Sequence, residues 1–239
     1  MNKPAYFISD LHLGATTEGV IADREQRLVD LLRGWRGQAS HVVFVGDSFE
    51  FWMEYRHYIN RHHFPFLRAL AELVESGVQV HLLSGNHDFR LDDFFPTALG
   101  VQVHSTLKLE LQGKKIWFQH GDGVAKSDWG YRLASRVIHS PINVFLFRLL
   151  HPDWGMALAN WVGRTSRKVN EDADPKIAEY QEAWRKLMVR EDCNVVVHGH
   201  NHHPSIKLDI EGTVVNCGQW LFELNYVEFR DGNFEIKTP

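Results

Sequence analysis

Five short segments of the sequence combine aspartate, asparagine or histidine with glycine or serine, and each follows an apolar run. Their metal-capable side chains are Asp10, His12, Asp47, Asn86, His120, His198 and His200. Carboxylate and amide oxygens mixed with imidazole nitrogens, without a thiolate, suit Mn²⁺, Fe²⁺ or Zn²⁺ better than Mg²⁺ or Ca²⁺. Seven ligands are too many for one ion that must leave room for a substrate. The set therefore predicts two divalent metal ions that share a bridging carboxylate.

The chemistry of such a metal pair is specific. Two ions roughly 3.5 to 4 Å apart can lower the pKa of a water molecule and hold the attacking and leaving oxygens of a displacement at phosphorus. Glycines next to the candidate ligands, namely Gly46, Gly85, Gly121 and Gly199, fit turns in which the backbone passes close to the ions. The pattern thus predicts hydrolysis at phosphorus.

Regular elements must bring these segments together. Apolar runs of strand length occupy residues 5–9, 41–45, 78–83, 115–119 and 194–197, and helical periodicity fills 24–35 and 64–75. Alternation of strand and helix predicts βαβ units with parallel strands. The carboxyl ends of such strands lie along one edge of a sheet, so we expect the five segments to converge there. Later, Glu211-Gly212 and Asp231-Gly232 predict hairpins in an antiparallel end of the sheet.

The stretch from Ser127 to Arg190 differs from the rest of the chain. Its apolar residues have helical spacing, without the alternation of a strand. Residues 126–170 carry seven basic and two acidic side chains, whereas the whole chain is acidic. We therefore expect a helical cap, residues 127–190, inserted into a single core domain formed by residues 1–126 and 191–239.

Composition limits the classes of protein. The 239 residues are 44% hydrophobic and 23% charged, which is ordinary for a globular chain that buries a core. A formal net charge of −4 argues against binding nucleic acid over the whole surface. Two cysteines are too few for a disulfide framework. Since neither a secretory leader nor an apolar run of about 20 residues is visible, we expect a cytoplasmic protein that does not cross a membrane.

In their order along the chain, the motifs resemble those of the calcineurin-like metallophosphoesterases. These motifs are D-x-H, G-D-x-x-E, G-N-H-D, a lone His before Gly, and G-H-x-H. The resemblance implies an α/β fold of the αββα type, in which a β-sandwich core is flanked by helices. It implies that one ion is bound by Asp10, His12, Asp47 and His200. The second ion would be bound by Asp47, Asn86, His120 and His198, so that Asp47 is the bridge.

The same resemblance implies roles for two residues beside the ligands. His87 would stabilise charge at phosphorus or protonate the leaving oxygen, and Asp88 would orient His87. The motifs are complete without His202 and His203, which we expect to have structural roles.

Nearly the whole chain is similar to the UDP-2,3-diacylglucosamine pyrophosphohydrolases of lipid A synthesis. The similarity includes residues 46–52, the His120-Gly121-Asp122 turn and the length of the chain. It implies that the nucleotide sugar is contacted by Asp128, Tyr131, Ser166 and Asn170, and that the cap holds the acyl chains. The products would be UMP and a lipid monophosphate, and Mn²⁺ is the expected metal. Two positions depart from that family, because His87 replaces an arginine and Ala173 replaces a lysine.

The cap itself suggests a second partner. Its aromatic and aliphatic residues alternate with Arg132, Arg136, Arg148 and Arg164, a mixture typical of helices that lie on an anionic membrane surface. We therefore expect a peripheral location on the inner membrane and no obligate protein partner. The alternative is that the aromatic residues only pack the cap onto the core, with the arginines solvated or binding phosphate.

Other functions remain open at this point. A broad phosphodiesterase or nucleotide pyrophosphatase without a lipid substrate would use the same residues. A non-catalytic scaffold is disfavoured because no candidate ligand is missing. A nuclease is disfavoured by the acidic net charge and the absence of a second domain of suitable size.

Overall fold

A computed structural model describes residues 2–159 and 177–239 of the chain. The strands, in chain order, are β1 (Ala5–Ile8), β2 (His41–Val45), β3 (Gln79–Leu83), β4 (Gln102–His104), β5 (Thr106–Leu111), β6 (Lys114–Gln119), β7 (Val195–His198), β8 (Ser205–Leu208), β9 (Thr213–Asn216), β10 (Tyr226–Arg230) and β11 (Asn233–Lys237). They form a six-stranded sheet in the order β11-β10-β1-β2-β3-β4 and a five-stranded sheet in the order β5-β6-β7-β9-β8.

Helices cover the outer face of each sheet, and further helices lie in the region expected to form the cap. They are α1 (Arg24–Gly34), α2 (Phe64–Glu75), α3 (Trp129–Ile138), α4 (Pro141–Arg148), α5 (residues 152–159), α6 (Ile177–Glu191) and α7 (Trp220–Glu223). Helix α2 buries Phe66, Leu70 and Leu73, which are three or four residues apart and therefore share one face. Helix α4 begins where Ser140 accepts a hydrogen bond from the N–H of Asn143 and Pro141 occupies the first turn.

The core lies in layers because the inner strands are buried on both faces. In β1, Ala5 and Phe7 point between the sheets, whereas Tyr6 and Ile8 point toward the helices. Continuous apolar runs such as β1 and β2 are what such double burial requires. On the outer face of the second sheet, Trp184 of α6 packs in a separate buried cluster.

The predicted αββα fold is confirmed, and the predicted strands and helices are present within one residue at each boundary. One expectation was wrong. The five candidate segments follow strands of two sheets, β1, β2 and β3 in the first and β6 and β7 in the second. The chain first changes sheet between β4 and β5. Strand β5 and strand β6 then form a hairpin through the Gln112-Gly113 turn, which was not predicted although residues 106–111 alternate.

The region expected to form the cap is helical where it is described. Residues 129–159 and 177–190 contain α3, α4, α5 and most of α6, and no strand occurs in these two ranges. None of the described helices is both long enough and apolar enough to span a membrane.

Candidate active site

The loop after β1 carries two of the predicted ligands. Both Asp10 and His12 have positive φ angles, 53° and 44°, which non-glycine residues adopt only when their surroundings hold them there. The N–H of Asp10 donates to the carbonyl of Gly46 at 3.2 Å, and the N–H of His12 donates to that of Asp47 at 3.0 Å. These bonds hold the loops after β1 and β2 side by side.

Asp47 lies at the centre of the site. Its Oδ2 atom is 3.2 Å from Nε2 of His120 and 3.8 Å from Nε2 of His12. Its Oδ1 atom accepts the N–H of His87 at 2.9 Å. The side chain therefore faces residues that follow β1, β3 and β6, which is the position that a bridging ligand needs.

Metal-capable atoms converge around this carboxylate. Within the part of the chain that the structure describes, three groups have ligand atoms within 4.8 Å of one another: Asp10, His12 and His202; His12, Asp47 and His87; and Asp10, Asp47 and His120. Because the groups share members, they form one continuous cluster. Two adjacent ions fit such an arrangement better than one ion does.

His120 is fixed across the two sheets. Its Nδ1 atom lies 2.9 Å from the carbonyl oxygen of Val45, and since a carbonyl only accepts, Nδ1 carries the proton. The buried Nε2 atom makes no hydrogen bond among the described residues, because it carries no proton and Oδ2 of Asp47, 3.2 Å away, is also an acceptor. The buried Oδ1 atom of Asn86 has no hydrogen-bond partner among these residues either. Buried polar atoms without partners are unfavourable, and divalent ions would bind both. The donor set and these two atoms fit the metal pair that the sequence predicts.

The loop after β7 brings the last predicted ligands. The N–H of His200 donates to Oδ2 of Asp10 at 3.0 Å, and its ring lies 5.2 Å from that of His120. The Nδ1 atom of His198 is 3.0 Å from the carbonyl of Gly199, and its ring packs 4.8 Å from Trp184. His200 therefore borders the cluster, whereas His198 packs against Trp184, and no ring nitrogen of either residue belongs to the tight groups around Asp47.

His202 was expected to be structural, and its position differs from that expectation. Its Nε2 atom lies 3.1 Å from Oδ1 of Asp10, closer than His12, whose Nε2 is 3.9 Å away. A positive φ of 57° directs the side chain back toward the site. His202 follows His200 by two residues, as His200 follows His198, but this spacing does not reveal the backbone conformation that brings His202 to Asp10.

Close approach explains two of the glycines. A Cβ atom on Gly85 would lie 2.2 Å from Oδ1 of Asp47, and one on Gly199 would lie 1.9 Å from Oγ of Ser9 and 2.4 Å from Oδ2 of Asp10. No side chain fits at these distances. The carboxylates are thus packed directly against backbone, which fixes their orientation.

The expected role of Asp88 was wrong. Its carboxylate accepts the N–H groups of Ser48, Phe49 and Gly85 at 3.1 to 3.2 Å, so it holds the loops after β2 and β3 together. A buried carboxylate needs such donors, and three amides supply them. The ring of His87 is instead oriented by the carbonyl of Glu50, 2.9 Å from its Nδ1 atom.

Electrostatics favour cations at this site. Burial would raise the pKa of Asp47, but His120, His87 and His12 hold it well below its usual value. Burial likewise opposes ionisation of Asp10, whereas His202 and His120 lower its pKa. Burial and the charge of Asp47 raise the pKa of Asp88 to about 7. Asp10 and Asp47 are therefore ionised at neutral pH and attract positive charge.

The predicted substrate-binding residues are only partly described. The hydroxyl of Tyr131 donates to Oδ2 of Asp122 at 2.7 Å, and burial followed by the charge of Asp122 raises the pKa of Tyr131. Asp128 is half-buried immediately before α3. Ser166 and Asn170, together with Ala173, lie outside the described residues.

A sequence profile of the calcineurin-like phosphoesterases matches residues 3–204. The chain belongs to this family. This calcineurin-like phosphoesterase is 35% identical over 173 residues to a UDP-2,3-diacylglucosamine hydrolase of Porphyromonas gingivalis, covering 72% of this chain and 66% of the relative. It is 28% identical over 240 residues to one of Neisseria meningitidis, with coverage of 99% and 98%.

A Pseudomonas syringae protein with the same description is 32% identical over 210 residues, which cover 85% of this chain and 81% of that protein. The solved structure of an archaeal phosphodiesterase has a TM-score of 0.50 at 11% identity, with 98% of each chain covered, and has the same fold. Family membership and the Asp and His cluster together make the protein a metal-dependent phosphoester hydrolase.

Proposed function

We propose that this protein hydrolyses the pyrophosphate bond of UDP-2,3-diacylglucosamine and releases UMP and 2,3-diacylglucosamine 1-phosphate. The observation that carries the proposal is the Asp47-centred cluster beside a large, mainly apolar cavity at the base of the cap helices. Relatives that carry the name UDP-2,3-diacylglucosamine hydrolase over 85% and 99% of this chain support the same substrate.

The metal-binding roles are part of the proposal. One ion would be held by Asp10, His12, Asp47 and His200, and the other by Asp47, Asn86, His120 and His198. When bound, the two ions would lower the pKa of a water molecule and neutralise charge on the pyrophosphate. We propose Mn²⁺ as the native metal because the carboxylates of Asp10 and Asp47 and the amide of Asn86 supply the oxygen ligands that it prefers.

His87 would act on the phosphate itself. Its Nδ1 atom donates to the carbonyl of Glu50, so that Nε2 is the nitrogen left for a substrate. The ring lies edge-on to His12, with 4.7 Å between the centroids, and therefore borders the metal cluster. From this position, His87 accepts a hydrogen bond at Nε2 when it is neutral, and as an imidazolium it can donate a proton or a hydrogen bond to an oxygen on phosphorus.

A cavity of about 1180 Å³ offers room for acyl chains. It runs from Glu50 and Phe51, beside the cluster, past Tyr55 to Met156 of α5. Its volume exceeds the roughly 300 to 1,000 Å³ typical of pockets for small molecules. A substrate with two long chains would make use of this space, whereas a small diester would not.

The exposed surface of the cap supports a membrane location. Side chains of Trp129, Ile142, Phe145, Leu149 and Trp154 are each more than 60% exposed. This surface disfavours the alternative in which the aromatic residues only pack the cap onto the core. Arg132 binds backbone carbonyls, and Arg148 binds a backbone carbonyl and Asp92, so neither is directed at the solvent. Arg136 is the exposed basic residue of α3. We propose that residues 127–190 form a cap that rests on the cytoplasmic face of the inner membrane.

Turnover of an acylated sugar nucleotide, compared with turnover of a water-soluble phosphodiester, tests the proposal. The protein, loaded separately with Mn²⁺, Fe²⁺ or Zn²⁺, is given UDP-2,3-diacylglucosamine or bis(p-nitrophenyl) phosphate. With Mn²⁺, we expect a higher kcat/KM for the acylated substrate than for the diester. When the reaction runs in ¹⁸O-labelled water, the label should appear in UMP. A higher kcat/KM for the water-soluble diester would contradict the lipid assignment and favour a broad phosphodiesterase.

A further inference from the structure

Glu50 is a buried carboxylate that lies against the ring of His12. The side chains of Glu50 and His12 are only 6% and 4% exposed, and Oε2 of Glu50 is 3.4 Å from Nδ1 of His12. A charge buried to this degree is ordinarily kept only where it is paired or hydrogen-bonded. Glu50 is therefore placed to act on His12.

The two ring nitrogens of His12 face different groups. Nε2 is directed at the metal cluster, 3.8 Å from Oδ2 of Asp47 and 3.9 Å from Oδ1 of Asp10. Nδ1 is buried and makes no regular hydrogen bond among the described residues, and its 3.4 Å separation from Glu50 exceeds the roughly 2.9 to 3.0 Å of such a bond. Because an ionised carboxylate only accepts, Glu50 favours the tautomer with the proton on Nδ1. That tautomer leaves the lone pair of Nε2 for a cation.

His120 has a matching arrangement with a different acceptor. Its Nε2 faces Asp47, whereas its Nδ1 donates to the neutral carbonyl of Val45. Histidines that bind a metal ordinarily donate their second N–H to a carboxylate or a carbonyl, which fixes the ring and raises its basicity. A carboxylate does this more strongly, because it carries a full charge. The two histidines that face Asp47 are therefore supported unequally.

Arg24 balances the buried charge of Glu50. The guanidinium of Arg24 is buried and donates to the carbonyl of Ala15 at 2.9 Å. Burial lowers the pKa of Arg24, whereas the charges of Glu25 and Glu50 raise it. A cation this close stabilises the ionised form of a carboxylate.

The main chain of Glu50 serves other residues. Its N–H donates to the carbonyl of Leu13 at 3.0 Å, and its carbonyl lies 2.9 Å from Nδ1 of His87. A substitution of the side chain keeps both groups. The effect of the carboxylate on His12 can therefore be tested apart from the orientation of His87.

We propose that the carboxylate of Glu50 is a positioning residue that accepts the Nδ1–H of His12, directs Nε2 at the ion held with Asp10 and Asp47, and strengthens the binding of that ion. The inference rests on the proposed ligand role of His12, but not on the identity of the substrate. Since the carboxylate supports one ion of the pair, its loss should weaken one metal-binding step and spare the other.

Titration of the metal-free protein with Mn²⁺ tests this inference without any substrate. Calorimetry gives the affinity of each step, and electron paramagnetic resonance detects the magnetic coupling of two adjacent Mn²⁺ ions. The variants are Glu50→Gln, which removes the charge, and Glu50→Asp, which keeps a charge near Arg24 but is one methylene shorter. The matched control is Glu54→Gln, another buried carboxylate of the same segment, whose Oε2 accepts the N–H of Phe94 at 3.2 Å.

A double-mutant cycle shows whether Glu50 acts through His12. Its members are wild type, Glu50→Gln, His12→Ala and the double variant His12→Ala with Glu50→Gln. If the carboxylate works only by holding the ring, its removal has no further effect once the ring is absent. A purely structural role of Glu50 would instead cost the same affinity in both backgrounds.

We expect Glu50→Gln and Glu50→Asp to weaken one step by about 10- to 100-fold, as is typical of residues that hydrogen-bond to metal ligands. The other step and the Glu54→Gln control should match wild type, and the coupled Mn²⁺ signal should require more metal in the Glu50 variants. In the His12→Ala background, Glu50→Gln should change the affinity by less than about twofold.

Wild-type affinity in both Glu50 variants, or the same loss with and without His12, would overturn the inference. Equal weakening of both steps would also overturn it, because that result indicates general damage to the site. Wild-type affinity in His12→Ala would contradict the proposed ligand set, and the inference with it. The expected metal binding without turnover of the acylated substrate would contradict only the proposed function.

Discussion

Nε2 of His120 lies 3.2 Å from Oδ2 of Asp47, while Nδ1 of the same ring is 2.9 Å from the carbonyl of Val45. The imidazole thus spans the two sheets, anchored in the first by backbone and directed at the shared carboxylate. Burial would lower the pKa of His120, but Asp47 raises it well above its usual value. Replacing Asp47 would therefore remove both the proposed bridging ligand and the negative charge that faces this histidine.

Asp47→Asn should reduce turnover by at least about 100-fold. Mutation of residues that only hydrogen-bond to metal ligands already lowers metal affinity or activity by about 10- to 100-fold. Metal content, measured by mass spectrometry of the intact protein or by elemental analysis, should fall below that of wild type. The matched control is Asp23→Asn, which alters an exposed ion pair with Arg27. Full metal content and turnover in Asp47→Asn would contradict the bridging role.

Gly199→Ala should disrupt the site, because its Cβ atom would lie 1.9 Å from Oγ of Ser9. We expect loss of metal binding and a lower free energy of unfolding. The same change at Gly34, in α1, meets no atom within 4 Å and should stabilise the protein by about 0.5 to 1 kcal/mol. Chemical denaturation of both variants measures the contrast, and equal stability changes would contradict the packing described here.

Arg148→Ala should release α4 from the core. Its guanidinium binds Asp92 and donates from Nε to the carbonyl of Glu54 at 3.1 Å. We expect KM for the acylated substrate to rise several-fold, with little change for bis(p-nitrophenyl) phosphate, because only the former needs the cap. Arg136→Ala, an exposed position of α3, is the control. A rise in KM that is the same for both substrates would argue against a positioning role.

His63 should make stability depend on pH. Burial lowers its pKa to about 4, and His62 adds to the shift. Between pH 6.5 and 4 the unfolded chain binds a proton that the folded chain excludes, so the free energy of unfolding falls as pH decreases. Between pH 6.5 and 5 this contribution is about 1.6 kcal/mol.

His63→Phe should remove that part of the pH dependence, and Phe49 and Trp52 already provide an aromatic environment for the new ring. Urea unfolding at pH 6.5 and pH 5 measures the difference between wild type and variant. His62→Gln serves as the exposed control. An unchanged slope in His63→Phe would mean that His63 is not the titrating group.

The double variant Ile142→Glu and Phe145→Glu should weaken binding to vesicles that contain anionic lipid. These side chains of α4 are 72% and 62% exposed, and carboxylates there oppose both burial in the interface and attraction to negative charge. Ile210→Glu, at a 95% exposed position of the β8–β9 hairpin, is the control. Sedimentation with vesicles is the measurement, and equal loss in the control would indicate a nonspecific charge effect.

Most of the site could be predicted because strand ends carry a strong local signal. Asp10, Asp47, Asn86, His120 and His198 each follow or end an apolar run, and the order of the motifs is itself informative. The apolar runs do not predict which of the two sheets each strand joins, because a buried parallel strand has the same sequence pattern in either sheet. The β5–β6 hairpin, with its alternating residues, marks the first change of sheet, and the chain returns to the six-stranded sheet between β9 and β10.

The missed contacts depend on backbone geometry rather than residue type. His202 contacts Asp10 because of its own positive φ. Asp88 accepts from three backbone N–H groups that come together only when the loops after β2 and β3 fold. Neither conformation has a signature in residue spacing. The orientation of His87 likewise comes from the Glu50 carbonyl, a group that every residue has.

The site contains five residues other than glycine whose backbone is left-handed: Asp10, His12, Asp47, His200 and His202. Their strain lowers the stability of the whole molecule. Each such non-glycine conformation costs of the order of 1 to 3 kcal/mol, while a whole domain is stable by only about 5 to 15 kcal/mol. Glycine at these positions would remove the strain and raise the free energy of unfolding. In this chain, the side chains at these five positions trade robustness of the fold for the reactivity of the proposed metal site.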